Sequence, residues 1–457
     1  MPRKVSRVRI AVVFVVLAVA GFATVKFVSY AQKKSRPVAT SNTPAVAPNV
    51  TAVETVDDSL SASPDGNADP GDILKATVTM TNTGGDATGT TISDTPGTYL
   101  SANGANGNLT TVLTVTGDTA NTIGNVNLSL NAAQGVLSND TVGNGSLSVT
   151  GVGNTQGTAN GTSVPNPLTT TNGGTVTMQS TGAYTYDPPV GFTGTDTFWY
   201  AVTNAPSTPT YTGTAQVTIT VSGKIWFINN AGGACTSNCD GRLSHPFTSL
   251  TNFQAINDNG AAATHAKTGD NIFLYQSGIA YNGPVTLLST QKLIGQDSTA
   301  SLITITGLTQ PSGTDPLPAM DTAGSNAVIT ASNANGINLG LNNTIRGLTV
   351  TNTGTGTKIS GTSFGTLTLA TSASPDVTVS GTGQALNLST GTLAVPGGFV
   401  SVGSTSSGAQ GINLAGISDS DGAGGSSFSF GSTTVSGSTT QGILIGTTTA
   451  DINLGNT

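Results

Sequence analysis

The sequence predicts a mainly β protein, with β-sandwich modules first and a stack of parallel strands after them. Three observations predict it. Segments such as Leu74-Lys75-Ala76-Thr77-Val78-Thr79-Met80 alternate apolar and polar residues with the period of a half-buried strand. The 457 residues include 60 glycines and abundant Thr, Ser and Asn, but only 8% are charged, too few for an average cytoplasmic enzyme or a helical protein. In the second half, short apolar-polar-apolar segments recur at intervals of roughly 20 to 50 residues, as solenoid turns with loop insertions would. The length has room for about two to four separately cored domains.

The chain opens on a basic stretch containing Arg3, Lys4, Arg7 and Arg9, followed by the apolar run from Ile10 to Val25. This order reads as an export signal. Ser29 and Ala31 are the small residues expected around a cleavage after Ala31, so 1–31 is assigned to the signal. The alternative is an uncleaved membrane anchor lengthened through Phe27 and Val28, since the run alone falls short of the ~20 residues of a full span. All 22 acidic residues lie beyond Arg36, and cleavage leaves ten basic residues against them, a net charge of −12. A body so anionic, with no basic stripe, excludes nucleic acid as a partner and suits an extracellular or cell-surface location. Membrane contact is then expected only through the N-terminal segment, if uncleaved.

Residues 32–50 are rich in Pro, Ala, Thr and Ser and form a flexible linker. The first folded module is placed at 51–100. Its segment Pro70-Gly71-Asp72, the alternating strand after it, Thr81-Asn82-Thr83-Gly84 and Asp94-Thr95-Pro96 resemble the conserved-repeat surface module known as domain of unknown function eleven. That resemblance implies an Ig-like sandwich of a bacterial envelope protein. A second module is placed at 101–222. Its passage from Gly173 to Asn204, with the strand from Thr214 to Val221 after it, resembles the cadherin-like, Ig-type repeats of giant bacterial adhesins. The resemblance implies an aromatic core of Tyr184, Tyr186, Phe192, Phe198 and Tyr200, with a corner from Gly191 to Asp196. Members of that family often place an Asp-rich, calcium-holding segment after Asn-Asp-Thr; here Asp140 is followed by Thr141-Val142-Gly143-Asn144, with few hard oxygen ligands.

Residues 223–457 change character. A strand at Ile225 to Ile228, Asp240-Gly241, Pro246-Phe247, a short helix near Ser249 to Ile256, Gly269-Asp270 with a strand at Ile272 to Tyr275, and Gly278 to Tyr281 follow in order. This order is similar to the entry of a right-handed parallel β-helix of the pectin-lyase-like class, in which a helix covers the open apolar end of the coil. Later segments, among them Gly336-Ile337-Asn338-Leu339, Ala385-Leu386-Asn387-Leu388 and Gly411-Ile412-Asn413-Leu414, read as its turns.

The chemistry that the sequence offers is sparse. Cys235 and Cys239 lie in a Gly/Asn/Ser-rich stretch of an exported chain and are expected to form a local disulfide; two thiols fall short of a zinc set. The sole glutamate, Glu54, precedes the second half, and no His follows His265. No catalytic residue and no cofactor are therefore assigned. Calcium is the one ion considered. Its candidate ligands are Asp65, Asp69 and Asp72, which serve equally as turn residues, and Asp419 with Asp421, which would share one face if extended but sit in a Gly/Ser-rich loop. His245 and His265 read as surface or turn residues, and Arg346 as an isolated charge facing solvent.

The functional expectation is an exported adhesive or structural protein in which sandwich modules act as a stalk and the β-helix offers a long Thr/Asn/Ser-lined surface to carbohydrate or protein. The main alternative is a polysaccharide lyase or glycoside hydrolase of the β-helix class. A third is an architectural surface-layer or matrix component.

Overall fold

Alternating apolar and polar side chains turn 42% of this chain into strands, and the strands pair in two distinct ways. The computed structural model describes residues 113–456 except 143–144, 161–163, 165–166, 208–209, 324–325 and 423, together with the backbone of four earlier strands. The chain divides into two compact units, 1–110 and 111–457. In the first, strands Val50–Asp57 and Ile73–Asn82 pair antiparallel, Val50 opposite Asn82 and Asp57 opposite Lys75. Val15–Ala18, from the apolar stretch read as an export signal, pairs with the other side of Ile73–Asn82. Among the described residues no helix is long and apolar enough to cross a membrane.

The second unit begins with two sheets facing one core. One is antiparallel and runs Pro167–Thr169, Thr175–Met178, Tyr184–Asp187, Leu128–Leu130. The other contains Ser148–Gly153, Gly194–Thr203 and Thr212–Ile228, with Asp118–Gly124 parallel to the last. Alternation sends Val176, Met178, Tyr184, Tyr186, Phe198, Tyr200, Val217 and Ile219 between the sheets. Of the five aromatics expected here, Phe192 is only partly buried and packs at the edge of this core. Asp196 is buried, and its carboxylate accepts from Tyr186 Oη at 2.9 Å, Asn172 N at 3.0 Å, Thr197 N at 2.8 Å and the Thr170 hydroxyl. These donors leave the buried charge well solvated by protein.

Thr212–Ile228 is one strand of 17 residues, and it runs straight through 222–223, where the sequence places a domain boundary. Up to Val221 it pairs with Gly194–Thr203 and Asp118–Gly124; from Ile225 it pairs in parallel with Asn271–Leu274. Gly223, at φ +68°, absorbs the register shift between Val221 and Lys224.

From that strand onward the chain builds parallel ladders. The first comprises Ile225–Ile228, Asn271–Leu274, Lys292–Gly295 and Thr344–Arg346. A second contains Tyr281–Asn282, Val328–Thr330, Leu348–Thr351, Val377–Ser380, Ser401–Thr405 and Thr433–Ser436. The third contains Val285–Thr286, Ile337–Asn338, Thr357–Leu367, Gln384–Leu393, Ile412–Asp419 and Ile443–Gly446. Inward-facing residues of successive turns join in a single apolar core from Trp226 to Phe430. Its starting end is closed by helix Leu250–Gln254, capped by the Ser249 hydroxyl, with Leu250 and Phe253 buried and Phe247 stacked on Trp226 at 6.1 Å. The short helix expected near Ser249 to Ile256 is this one.

Corners of the stack use asparagine in the left-handed region. Asn333, Asn342 and Asn352 have φ of 57°, 57° and 44°. Their Oδ1 atoms accept from Thr355 N, Thr366 N and Thr382 N on the following turn, at 3.2, 2.8 and 3.1 Å. Asparagine tolerates this backbone better than most residues, and its side chain then replaces a backbone acceptor. The residue before each donor is Gly354, Gly365 or Gly381; a Cβ on Gly354 would meet Asn333 Oδ1 at 2.3 Å.

Candidate functional site

The third ladder positions the most regular surface of the stack. Val285, Ile337, Ile359, Leu386, Ile412 and Ile443 stack in register toward the interior. Strand alternation therefore turns the next residues outward: Thr286, Asn338, Ser360, Asn387, Asn413 and Leu444 form one column up the stack. Thr362, Ser389 and Ala415 form a second column, and Thr366, Thr392 and Ser418 a third. None of these side chains is ionisable. They bond to one another from turn to turn. Asn338 Nδ2 donates to Thr286 Oγ1 at 3.1 Å, Asn413 Nδ2 to Asn387 Oδ1 at 2.9 Å and Ser389 Oγ to Thr362 Oγ1 at 3.2 Å, while Thr392 and Ser418 hydroxyls lie 3.0 Å apart.

Between the second and third columns the strands bend. Ser363, Thr390 and Gly416 stand at equivalent places with φ of 52°, 54° and 64°. The bend opens a shallow groove of about 440 Å³ lined by Ser363, Gly365, Thr390, Gly391, Thr392, Gly416 and Ser418, with Leu341, 47% exposed, at its rim. Such a surface can exchange hydrogen bonds with uncharged polar groups, and it carries no charge to attract or repel an ionic ligand.

Cys235 and Cys239 form a disulfide with Cα atoms 5.8 Å apart. Asp419 is buried at the end of its strand, where Oδ1 accepts from Gly422 N at 2.8 Å and Oδ2 from Asp451 N at 2.7 Å. Asp421 accepts from Ser426 N at 2.8 Å within the following turn. Both carboxylates thus bind backbone N–H groups, which is loop-holding chemistry. Asp65, Asp69 and Asp72 lie outside the described residues. Among the described residues no group of three or more His, Cys, Asp or Glu side chains is arranged to hold a metal ion.

This chain matches no protein-family model, no curated protein and no solved structure.

Arg346 corrects the sequence reading. Instead of standing alone in solvent, it donates to Asp376, Nη2 at 2.7 Å and Nε at 2.8 Å, and the Asp376 side chain is 1% exposed. Ser298 Oγ and Thr299 N donate to the same carboxylate oxygen at 3.0 and 3.1 Å. Residue spacing hides this pair because Asp376 arrives on the next turn. His265 binds Asp258 at 2.6 Å and His245 binds the Ser244 hydroxyl at 2.9 Å, both exposed contacts.

Four ionisable groups buried or half-buried in the fold carry no signal in the sequence. Lys358 is fully buried and its Nζ donates to Gly383 O at 2.7 Å; burial pulls its ammonium down to about 8. The Tyr200 hydroxyl donates to Asp140 Oδ2 at 3.1 Å, and the Asp118 carboxyl lies beside this pair. Burial, helped by the neighbouring Asp140 charge, raises Asp118 to about 7. Lys224 is buried against Asp270 at 3.1 Å, with its Nζ 5.4 Å from the Trp226 ring centre.

Proposed function

We propose that this protein is an exported cell-surface protein in which Ig-like β-sandwich modules carry a right-handed parallel β-helix, and that the β-helix binds uncharged surfaces of extracellular carbohydrate or protein. The two-sheet core at 118–221 and the ladders after Ile225 support the architectural part of this reading. The observation that carries the functional part is the set of outward polar columns through Asn387, Ser389 and Thr392, repeated in register over several turns without an ionisable side chain. Repetition at the ~4.8 Å strand spacing offers an extended polymer many equivalent weak contacts, which add along its length. Adhesion of this kind needs contact area more than a reactive cluster.

The test is retention of the full chain on a panel of insoluble neutral and acidic polysaccharides and immobilised matrix proteins, beside a variant carrying Asn387→Arg and Thr392→Arg. Expected is binding to at least one uncharged surface that the variant loses by tenfold or more, because two charges must be desolvated against it. If both proteins bind equally, the columns are not the binding face. Release of reducing ends or unsaturated sugars by the chain, and not by a heat-denatured control, establishes a glycan-cleaving enzyme instead.

A further inference from the structure

The insertion between the third and fourth strands of the first ladder has a role that the proposed adhesion does not use. After helix Leu302–Thr306, closed by Gly307 at φ +74°, the chain leaves the stack and returns to the sheet pair. There it forms a bridge between Thr314 and Leu128, the edge strand of the four-stranded sheet. Ser129 N donates to Gly313 O at 2.7 Å, Asp315 N to Asn127 O at 2.8 Å, Ser129 Oγ to Asp315 Oδ1 at 3.1 Å and Gln134 Nε2 to Ser312 Oγ at 3.0 Å. At the near end of the insertion Leu308 lies so close to Gly223 that a Cβ there would meet its Cδ2 at 2.3 Å.

The geometry points to a strap: residues 308–320 lock the sheet pair to the stack, so that the two regions open together and the joint between them does not hinge. Two further contacts act in the same sense without belonging to the strap. Asn125 Nδ2 donates to Ile225 O at 3.1 Å, and Arg242, reaching from the stack, pairs with Asp187 on the sheet pair. Ile225 and Phe227 bury their outward side against Ile123 and Val126, so apolar surface is shared across the joint. Separating the regions exposes that surface and breaks the strap's bonds at once, which is the physical basis of a common opening.

Native-state hydrogen exchange of the full chain, read by mass spectrometry at increasing denaturant, tests this. In the unaltered protein, amides of Tyr184–Asp187 and of Asn271–Leu274 are expected to converge on one opening reaction. Gly313→Val removes the strap's fit, since Gly313 has φ +80° and its Cβ would meet Leu130 Cδ2 at 2.3 Å. It is expected to split that reaction, with Tyr184–Asp187 exchanging about tenfold faster and Asn271–Leu274 unchanged, the scale of about one lost net hydrogen bond or slightly more. A softer variant, Ser129→Ala with Gln134→Ala, gives the same split in smaller measure should the valine prevent folding. Separate openings already present in the unaltered protein, or a common opening that survives both variants, overturn the strap. Neither outcome depends on what the outer columns bind, so the test is independent of the proposed adhesion.

Discussion

The sheet pair and the stack solve the burial problem differently, although one strand serves both. The sheet pair closes around a few large side chains that meet from distant strands, as where Tyr184 lies edge-on to Phe198 at 5.6 Å. The stack repeats small aliphatic contributions, Val350, Val379 and Val402 in one column and Ile359, Leu386 and Ile412 in another. In the first case each residue has one place and few substitutes; in the second each turn rests mainly on its two neighbours. Their polar interiors differ as well. In the sheet pair the buried Asp196 is met by hydroxyl and backbone donors, whereas the stack encloses carboxylates, Asp376 and Asp419, and also a cation, Lys358, held by a carbonyl.

Removing a large side chain should break this comparison most visibly. Phe198→Ala is expected to cost about 3–5 kcal/mol, measured as a lowered denaturation midpoint of the sheet pair; a loss below about 1 kcal/mol would mean that the aromatic core is not what closes the two sheets. Next comes Lys358→Met, which replaces a buried cation held by a backbone carbonyl with an apolar chain of similar length. The variant should be more stable at pH 7, by about 1–3 kcal/mol. The sign follows from the folded pKa of about 8 lying below the ordinary lysine value: the unfolded chain binds more protons between about 8 and 10.5, so stability of the unaltered protein rises over that window. That rise should vanish in the variant, and its persistence would assign it to another group.

Asn342→Ala should cost about 1–2 kcal/mol, through the left-handed backbone and the lost bond to Thr366 N, whereas Asn342→Gly should lose only the second part. Equal effects of the two would remove backbone conformation from the account. The smallest expected effect is that of Asp118→Asn. Here the folded pKa, about 7, lies above the ordinary 3.8, so the stability of the sheet pair falls as pH rises from about 4 to about 7. The asparagine variant should flatten that fall and gain about 1 kcal/mol at pH 8 after allowance for solvent screening. Opposite pH trends in the two regions, acidic for one and alkaline for the other, are the sharpest form of the comparison. Exchange rates of amides in Tyr184–Asp187 and Leu386–Leu388 across pH, corrected for intrinsic exchange and read in the Gly313→Val variant, where the two regions open apart, report each separately.

Much of the architecture is local in origin and was legible for that reason. The alternation at Ile73–Asn82 and Tyr184–Asp187, the serine before helix Leu250–Gln254 and the four-residue spacing of Cys235 and Cys239 each depend on neighbours a few residues away. Of the site, the abundance of Thr, Ser and Asn was visible, but not its order. Columns form only when strands such as Thr357–Leu367 and Gln384–Leu393 take one register, and a slip of one residue would turn Asn387 inward and Leu386 outward.

By itself, then, the sequence determined strand periodicity, the apolar identity of inward positions, the anionic balance and the scarcity of reactive groups, because composition and short-range pattern encode them. Tertiary structure alone decided that Thr212–Ile228 joins two regions as one strand, that Arg346 meets Asp376, and that Lys358 is enclosed against the carbonyl of Gly383. The physical reason is distance along the chain. Arg346 and Asp376 are 30 residues apart and Asn125 and Ile225 are 100 apart, and only the stacking of turns and the closing of sheets brings such partners within hydrogen-bond reach.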